Sequence, residues 1–416
     1  MTSKSPSQSA PANSGVDFED ALRVAAEIAA HSPSSHNCQP WALGWAIGAA
    51  ARHAATRLLG ENVVQAATEY GHAADEDEYL VLALDRERQL TSLPWHALEM
   101  LISCGAYGEI LLQAMAAQGW RADRVHFVNP APAAHTPWDD STYRIFGDRW
   151  PDAWAPLCVI RLRHSHTSSV DLAELRETAR ARHTNRGPYR PESIDSAVLT
   201  ELSTPRSTLL SQAAPEHEPK VTVRHVVSDA ERDEFADLVS RHGGRDFSHP
   251  LAWQETHSFI RRSEADAEAR GDGFTLGQLF GHLAPPRRYG MRIALAPATM
   301  RLLQHVGYHR VLARQLAAMV RRSPAAVALC FAGDSPSTDS IVCGGAAMAN
   351  YWLAATRAGL VLHPVSVILQ HDDVRDELEH RLGLPGRAFF LSRLGCALTG
   401  FPPSHRLSAS STLRLV

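Results

Sequence analysis

Two short stretches carry the polar side chains best suited to holding a ligand. The first, HSPSSHNCQPW from His31 to Trp41, places Ser34, Ser35, Asn37 and Gln39 just behind Pro33, in a segment that cannot continue the helical pattern before it. The second, RHTNR, sets Arg182 and Arg186 on either side of Thr184. Two guanidinium groups and a hydroxyl suit a phosphate dianion, which accepts several charge-assisted hydrogen bonds at once. Hydroxyls and side-chain amides suit the heteroatoms of a polar ring system. Taken singly, the first stretch reads as a capped turn and the second as a solvated helix end. Taken together they point to one ligand with a phosphate at one end and a ring at the other, a description that flavin mononucleotide (FMN) meets.

Competing chemistries find little support. The chain has no G-x-S-x-G, H-E-x-x-H, G-x-x-x-x-G-K or G-x-G-x-x-G. The pairs His164/His166 and His305/His309 lack a third metal ligand nearby, and no metal site is expected. Cys38 and His36 are neighbours in sequence, but residues two apart on a turn seldom face each other, so a cysteine nucleophile is not expected either.

The elements that must position these stretches read as α+β. A helix over about Asp17–Ala30 precedes the first stretch, and WALGW and EYLVLALD follow as strands, separated by an apparent helix and loop over 46–76. LEMLISCGAYGEILLQAMAAQGW is a long buried helix stopped by Gly119, with RVHFV and PLCVIRLR as strands after it. A second set runs from a helix through LAELRETARARHTNR to the strand KVTVRHVV, a long helical region from Asp229 to Arg322, the strand AAVALCFAG, the helix CGGAAMANYWLAATRAGL, then LVLHPVSVIL, the strand RAFFLSRLGCAL and a short tail. Shifting the chain by 240 positions lays Gly105 on Gly345, Ala106 on Ala346, Ala114 on Ala354 and Gly119 on Gly359. That faint repeat is read as an internal duplication.

Composition bounds the setting. The chain has 416 residues and a net charge of −4, a whole-chain balance that favours neither nucleic acid nor an anionic membrane. Its six scattered cysteines suggest a reduced, cytoplasmic protein. Residues 1–16 read as a disordered tail without the apolar core of a signal peptide. The apolar stretch Ile341–Thr356 is shorter than the roughly 20 residues a membrane span requires, so no span is expected.

PSSHNCQPW resembles the A-P-S-S-x-N-x-Q-P-W loop of the flavin-dependent nitroreductase superfamily, and RHTNR resembles its R-x-[ST]-x-R phosphate motif. In ordinary members the arginine motif comes first in a chain of about half this length, and two subunits share each FMN. Here the order is reversed. With DRERQLTSLPWHALEMLISCGAYGEILLQA between the motifs and PPSHR near the end, the chain is similar to the Acg-like branch, in which a fused duplication mimics the dimer. The resemblance spans about Asp17–Arg406 and is weakest over 46–76 and 245–322.

The resemblance implies a nitroreductase-like fold in two tandem halves, 17–170 and 171–416, forming a pseudo-dimeric monomer with one composite FMN site. Arg182, Thr184, Arg186 and Arg406 would bind the phosphate and ribityl chain. Pro33, Ser34, Ser35, Asn37 and Gln39 would approach from the other half, and Pro364, Val365 and Ser366 would lie against the ring and offer a backbone N–H to N5. Ser404 stands where the family commonly has a second basic residue. The implied activity is hydride transfer through FMN between NAD(P)H or an organic substrate and a small-molecule acceptor. A helical insertion over about 245–322 would act as a lid. If that lid buries the ring, the alternative is a protein that sequesters FMN.

Overall fold

The computed structural model describes residues 16–60, 77–128, 145–165, 170–204 and 221–416, together with 208, 210 and 212. In the first half, α1 (Phe18–Ala29) is capped by Asp17, whose carboxylate accepts from the Glu19 N–H, and buries Phe18, Leu22, Ala25 and Ala29 on one stripe. Then come β1 (Trp41–Trp45), α2 (Ala49–Leu58), β2 (Glu78–Asp85), α3 (Pro94–Ala117), β3 (Trp120–Phe127) and β4 (Trp154–His164). The second half contains α4 (Leu172–Ala181), α5 (Ser196–Ser203), β5 (Val221–Val226), α6 (Asp229–His242), α7 (Gly244–Ser248), α8 (Pro250–Ser258), α9 (Glu264–Arg270) and α10 (Leu276–Phe280). It continues through α11 (Pro285–Leu295), α12 (Pro297–Leu303), α13 (Tyr308–Arg321), β6 (Ala325–Phe331), α14 (Thr338–Arg357), β7 (Val361–Pro364), α15 (Asp372–Arg381), β8 (Arg387–Gly395), α16 (Ala409–Thr412) and β9 (Leu413–Leu415).

The two sheets repeat one topology. The first has the order β3-β4-β2-β1-β9 and the second β5-β6-β8-β7. The first four strands of the first half and the four of the second each follow the spatial order first-second-fourth-third, all antiparallel. In both halves one long helix joins the second strand to the third, α3 in one and α14 in the other. These helices pack against each other at the centre, where Gln113 Nε2 donates to Asn350 Oδ1 at 2.6 Å and Asn350 Nδ2 to Glu109 Oε1 at 3.1 Å. The fold is α+β, with two sheets of matching strand order around a central helix pair.

Several elements differ from the sequence reading. The helix expected through RHTNR stops at Ala181, because Asn185 N–H donates to Leu362 O and Thr184 bridges to Leu362, drawing the segment alongside β7. LVLHPVSVIL is a strand only to Pro364, and a short 3-10 turn over Ser366–Ile368 follows. The C-terminal residues are not a mere tail: β9 pairs in parallel with β1, so the chain end of the second half completes the sheet of the first. The halves therefore do not part at a single point in the chain. Among the described residues, the helix long and apolar enough to span a bilayer is α3 rather than the stretch Ile341–Thr356, and most of it is buried inside the fold. The readings for residues 1–15 and 61–76, and His166 of one histidine pair, lie outside the described residues.

The region 245–322 is helical but broken. Within it Trp253, Leu276, Leu283, Leu295 and Met300 form a small core of their own, and the Trp253 indole donates to Leu295 O at 2.9 Å. By contrast α13 packs with α6 on the second sheet, burying Ala317 and Val320 with Phe235 and Val239.

Candidate functional site

The serine-rich loop leaves α1 and takes an uncommon path. His36, Asn37 and Gln39 all lie in the left-handed region, at φ of 51°, 53° and 51°, although none is glycine. Such a backbone persists only where its surroundings hold it. Ser34 Oγ accepts from the Gln39 N–H at 3.1 Å, and Arg88 Nε donates to Cys38 O at 2.9 Å. Asn37 Nδ2 donates to Gly273 O and His405 O, both at 2.9 Å, and Gln39 Nε2 donates to Gly271 O at 2.7 Å. The loop is thus stitched to the insertion and to the C-terminal segment.

Facing it are three arginines. Arg182 donates through Nη2 to His31 O at 2.9 Å and lies over the Trp352 ring at 4.7 Å. Arg186 donates to Gln278 O at 3.2 Å, and Arg406 Nη1 donates to Asn37 Oδ1 while its buried Nε has no partner. Among the described residues no carboxylate pairs with any of the three. Burial lowers the pKa of Arg186 and of Arg406 to about 10, and burial followed by the charge of Arg406 takes Arg182 well below its usual value. Burial, then Arg406 and Arg182, lower His31 to about 4, so it stays neutral beside them. A concentration of largely desolvated positive charge without a counter-ion is costly, and a bound anion offsets that cost.

β7 supplies the third wall. The buried Arg393 anchors it, donating to Ser323 Oγ at 2.7 Å and to Gly187 O at 3.0 Å and contacting His363 Nδ1 at 3.1 Å. At its end the Val365 N–H donates to Leu391 O at 2.9 Å. The three walls and the insertion enclose one cavity of about 910 Å³. The loop contributes Pro33, Ser34, Ser35 and Asn37; the arginine motif contributes Arg182, Thr184 and Arg186; Pro364, Val365, Ser366 and Arg406 complete the expected set.

Gln39 is the exception. Its side chain does not line the cavity, because both ends of its amide are spent on Gly271 O and the Leu407 N–H. Asn37 lines the wall but also spends its amide on protein groups, so it serves the framework as well as the cavity. Cys38 is fully buried and burial raises its thiol pKa, leaving it inert.

Sequence reasoning missed a polar group on the opposite side of the loop. Ser35 Oγ donates to Glu99 Oε2 at 2.5 Å, and Gln370 Nε2 donates to Glu99 Oε1 at 2.8 Å. Burial raises the pKa of Glu99 above its ordinary carboxylate value despite His96 and these hydrogen bonds. Its neighbour His96 contacts Glu255 Oε2 of α8 at 3.0 Å, and Glu255 also accepts from Ser92 Oγ and, at 2.7 Å, from the Thr91 N–H. Glu99, His96 and Gln370 all line the cavity. The available signal was a glutamate in the second turn of a long apolar helix that carries one other, Glu109.

Comparisons with known proteins bear on this arrangement. No family model matches the chain. It is 29% identical over 381 residues, 91% of this chain and 89% of the other, to the protein named probable NAD(P)H nitroreductase PigM of a Serratia species. Among solved structures, it is similar to a chain from Anabaena variabilis assigned to the nitroreductases, at 9% identity with a TM-score of 0.46, covering 88% of this chain and 82% of that one. It is also similar to the FMN-dependent nitroreductase NfnB from Mycobacterium smegmatis, solved with NADPH, at 18% identity with a TM-score of 0.34, covering 59% of this chain and all of that one. The chain thus brings its two motifs onto one cavity and is similar, over most of its length, to a protein named as an NAD(P)H nitroreductase.

Proposed function

We propose that the chain is an FMN-dependent oxidoreductase with one composite flavin site, working between NAD(P)H or an organic substrate and a small-molecule acceptor. The observation that carries this reading is the set of three arginines without carboxylate partners among the described residues, Arg182 buried and Arg186 and Arg406 half-buried, lining one cavity with the serine-rich loop. The donor set fits a phosphate dianion, and the orphaned Arg406 Nε is one donor such a group would satisfy. Arg182, Thr184, Arg186 and Arg406 would hold the phosphate end. Pro33, Ser34 and Ser35 would border the ring. Of the backbone at 364–366, proline has no N–H and that of Val365 is engaged, which leaves Ser366 to offer one to the ring. When bound, FMN supplies a ring that accepts a hydride at N5 and passes it on. The likeness to an NAD(P)H nitroreductase supports a nicotinamide as the reductant.

The matching strand orders and the complementary motifs support an internal duplication that makes the single chain a pseudo-dimer. All six cysteines are free, which supports a reduced, cytoplasmic setting. A second reading, FMN storage, draws support from the ties of the insertion to the loop at Asn37 and Gln39 and to α3 at His96.

Purified protein should release one FMN per chain on denaturation; two flavins, FAD or haem would overturn the composite site. Anaerobic NADPH should bleach the flavin band rapidly. A band inert to NADPH and NADH, in protein that holds one FMN, would favour storage over turnover.

A further inference from the structure

The whole-chain balance of −4 conceals a strongly polarised segment. Residues 273–333 contain no aspartate or glutamate, yet carry eight arginines. The rest of the chain is correspondingly more acidic than the whole. Six of the eight, Arg287, Arg288, Arg292, Arg301, Arg310 and Arg314, are exposed on α11, α12 and α13, and among the described residues none has a carboxylate partner. Between them stand apolar side chains that the fold leaves in water: Tyr289 is 68% exposed, Ile293 50%, Leu302 70% and Val306 79%.

This pattern is not that of an ordinary solvated face, where apolar residues are scattered and charges of both signs mix. We propose that the outer face of α11–α13 is a docking surface for an anionic lipid bilayer. Arginines reach headgroup phosphates while their stems lie along apolar surface, and the intervening Tyr, Ile, Leu and Val side chains enter the boundary of the acyl layer. Each alternative leaves part of the pattern unused. Nucleic acid would engage the arginines but offers nothing to Ile293, Leu302 and Val306, which cannot stack on bases. A second copy meeting this one across a two-fold axis would set arginines against arginines. The inner face of the same helices presents Leu295, Leu312 and Leu316 to the cavity, so the element that meets lipid is also a cavity wall. The proposal does not depend on which ligand the cavity holds.

Flotation of the full chain with vesicles tests it. The protein should float with phosphatidylcholine vesicles containing phosphatidylglycerol, stay behind with pure phosphatidylcholine, and be released by salt. Charge reversal in Arg288→Glu/Arg292→Glu/Arg301→Glu should weaken vesicle binding at least about tenfold. Ile293→Ser/Leu302→Ser/Val306→Ser, with every charge kept, should also weaken it, which purely electrostatic adhesion would not show. Unchanged circular dichroism in both surface variants excludes misfolding as the cause. The proposal is overturned by failure to float at low salt, or by equal flotation of the charge-reversed variant. It is also overturned by self-association that the serine variant abolishes, or by capture on polyglutamate without vesicle binding, which would point to a second copy or an acidic protein instead.

Discussion

Gly105 and Gly345 are packed reciprocally across the centre of the molecule. A Cβ added to Gly105 would lie 1.8 Å from the carbonyl oxygen of Val342, and one added to Gly345 would lie 2.1 Å from that of Ile102. The 240-position shift that superposes the two glycines also carries Ile102 onto Val342. The two central helices therefore meet around a local two-fold relationship, each glycine seated on the backbone of the partner helix.

That contact tolerates no side chain. Gly105→Ala and Gly345→Ala should each force α3 and α14 apart and destabilise the protein by about 3 kcal/mol or more, at the upper end of overpacking costs, because the obstacle is backbone rather than a movable side chain. Thermal unfolding measures it. Similar losses in the two variants are expected, and a marked asymmetry would mean that the helices do not meet as described.

The arginine cluster predicts opposite effects on ligand and fold. Arg182→Ala/Arg186→Ala removes two charge-assisted contacts of roughly 1.5–3 kcal/mol each and should weaken FMN by about two to four orders of magnitude, with riboflavin far less affected. Arg186→Met alone removes a half-buried charge, without a carboxylate partner among the described residues, whose protein hydrogen bond is one contact to Gln278 O at 3.2 Å. In flavin-stripped protein its unfolding midpoint should hold or rise. Titration with FMN and riboflavin, beside calorimetry, reads both effects.

Asn37→Ala should destabilise the flavin-stripped protein. The sequence alone suggests an amide kept for the ligand, but this one satisfies Gly273 O and His405 O. Its loss leaves acceptors unpaired at about 1–3 kcal/mol and loosens the tie between loop and insertion. A normal midpoint with impaired FMN binding would reverse this assignment.

The contact between His96 and Glu255 should make the insertion pH-sensitive. Burial opposes the charged form of His96, but the hydrogen bond to Glu255 and the charges of Glu99, Glu255 and Asp246 outweigh it and raise its pKa above 6.5. Burial likewise opposes Glu255, yet hydrogen bonds from His96, Ser92 and the Thr91 N–H bring it from 4.5 to about 2. His36, held neutral near a pKa of about 4 by burial, adds no charge across this pH range. The His96 contribution is complete below pH 6.5 and fades as pH rises through the raised value; that of Glu255 is complete above 4.5 and fades as pH falls towards 2. The pair is therefore strongest between about pH 4.5 and 6.5. FMN should dissociate faster at pH 9 than at pH 6, and Glu255→Gln should flatten that difference. Stopped-flow flavin fluorescence measures both, and identical pH profiles would show that the His96–Glu255 contact does not control flavin release.

Most helices and the main strands were legible in the sequence, as was the polar chemistry of two of their ends. Apolar periodicity marked α1, α3 and α14 and the main strands, because burying one stripe or face leaves a regular trace along the chain. Pro33 with its serines, and two arginines around Thr184, announced polar turns and a phosphate-sized cluster of donors once the two stretches are read together, since each alone also suits a capped turn or a helix end. Which groups face the cavity depends on partners distant in the chain. Gln39 and Asn37 are both side-chain amides two residues apart, yet partners at 271, 273, 405 and 407 turn one into framework and divide the other between framework and wall. β9 was invisible as a strand, since three residues carry no period and what fixes them is an open edge on β1, over 360 positions away. Glu99 carries no functional signal in the sequence, and only the fold brings Ser35 and Gln370 onto it. Periodicity is local and can be read from neighbours, whereas hydrogen-bond partners and the desolvation of charge depend on residues that only the folded chain brings together.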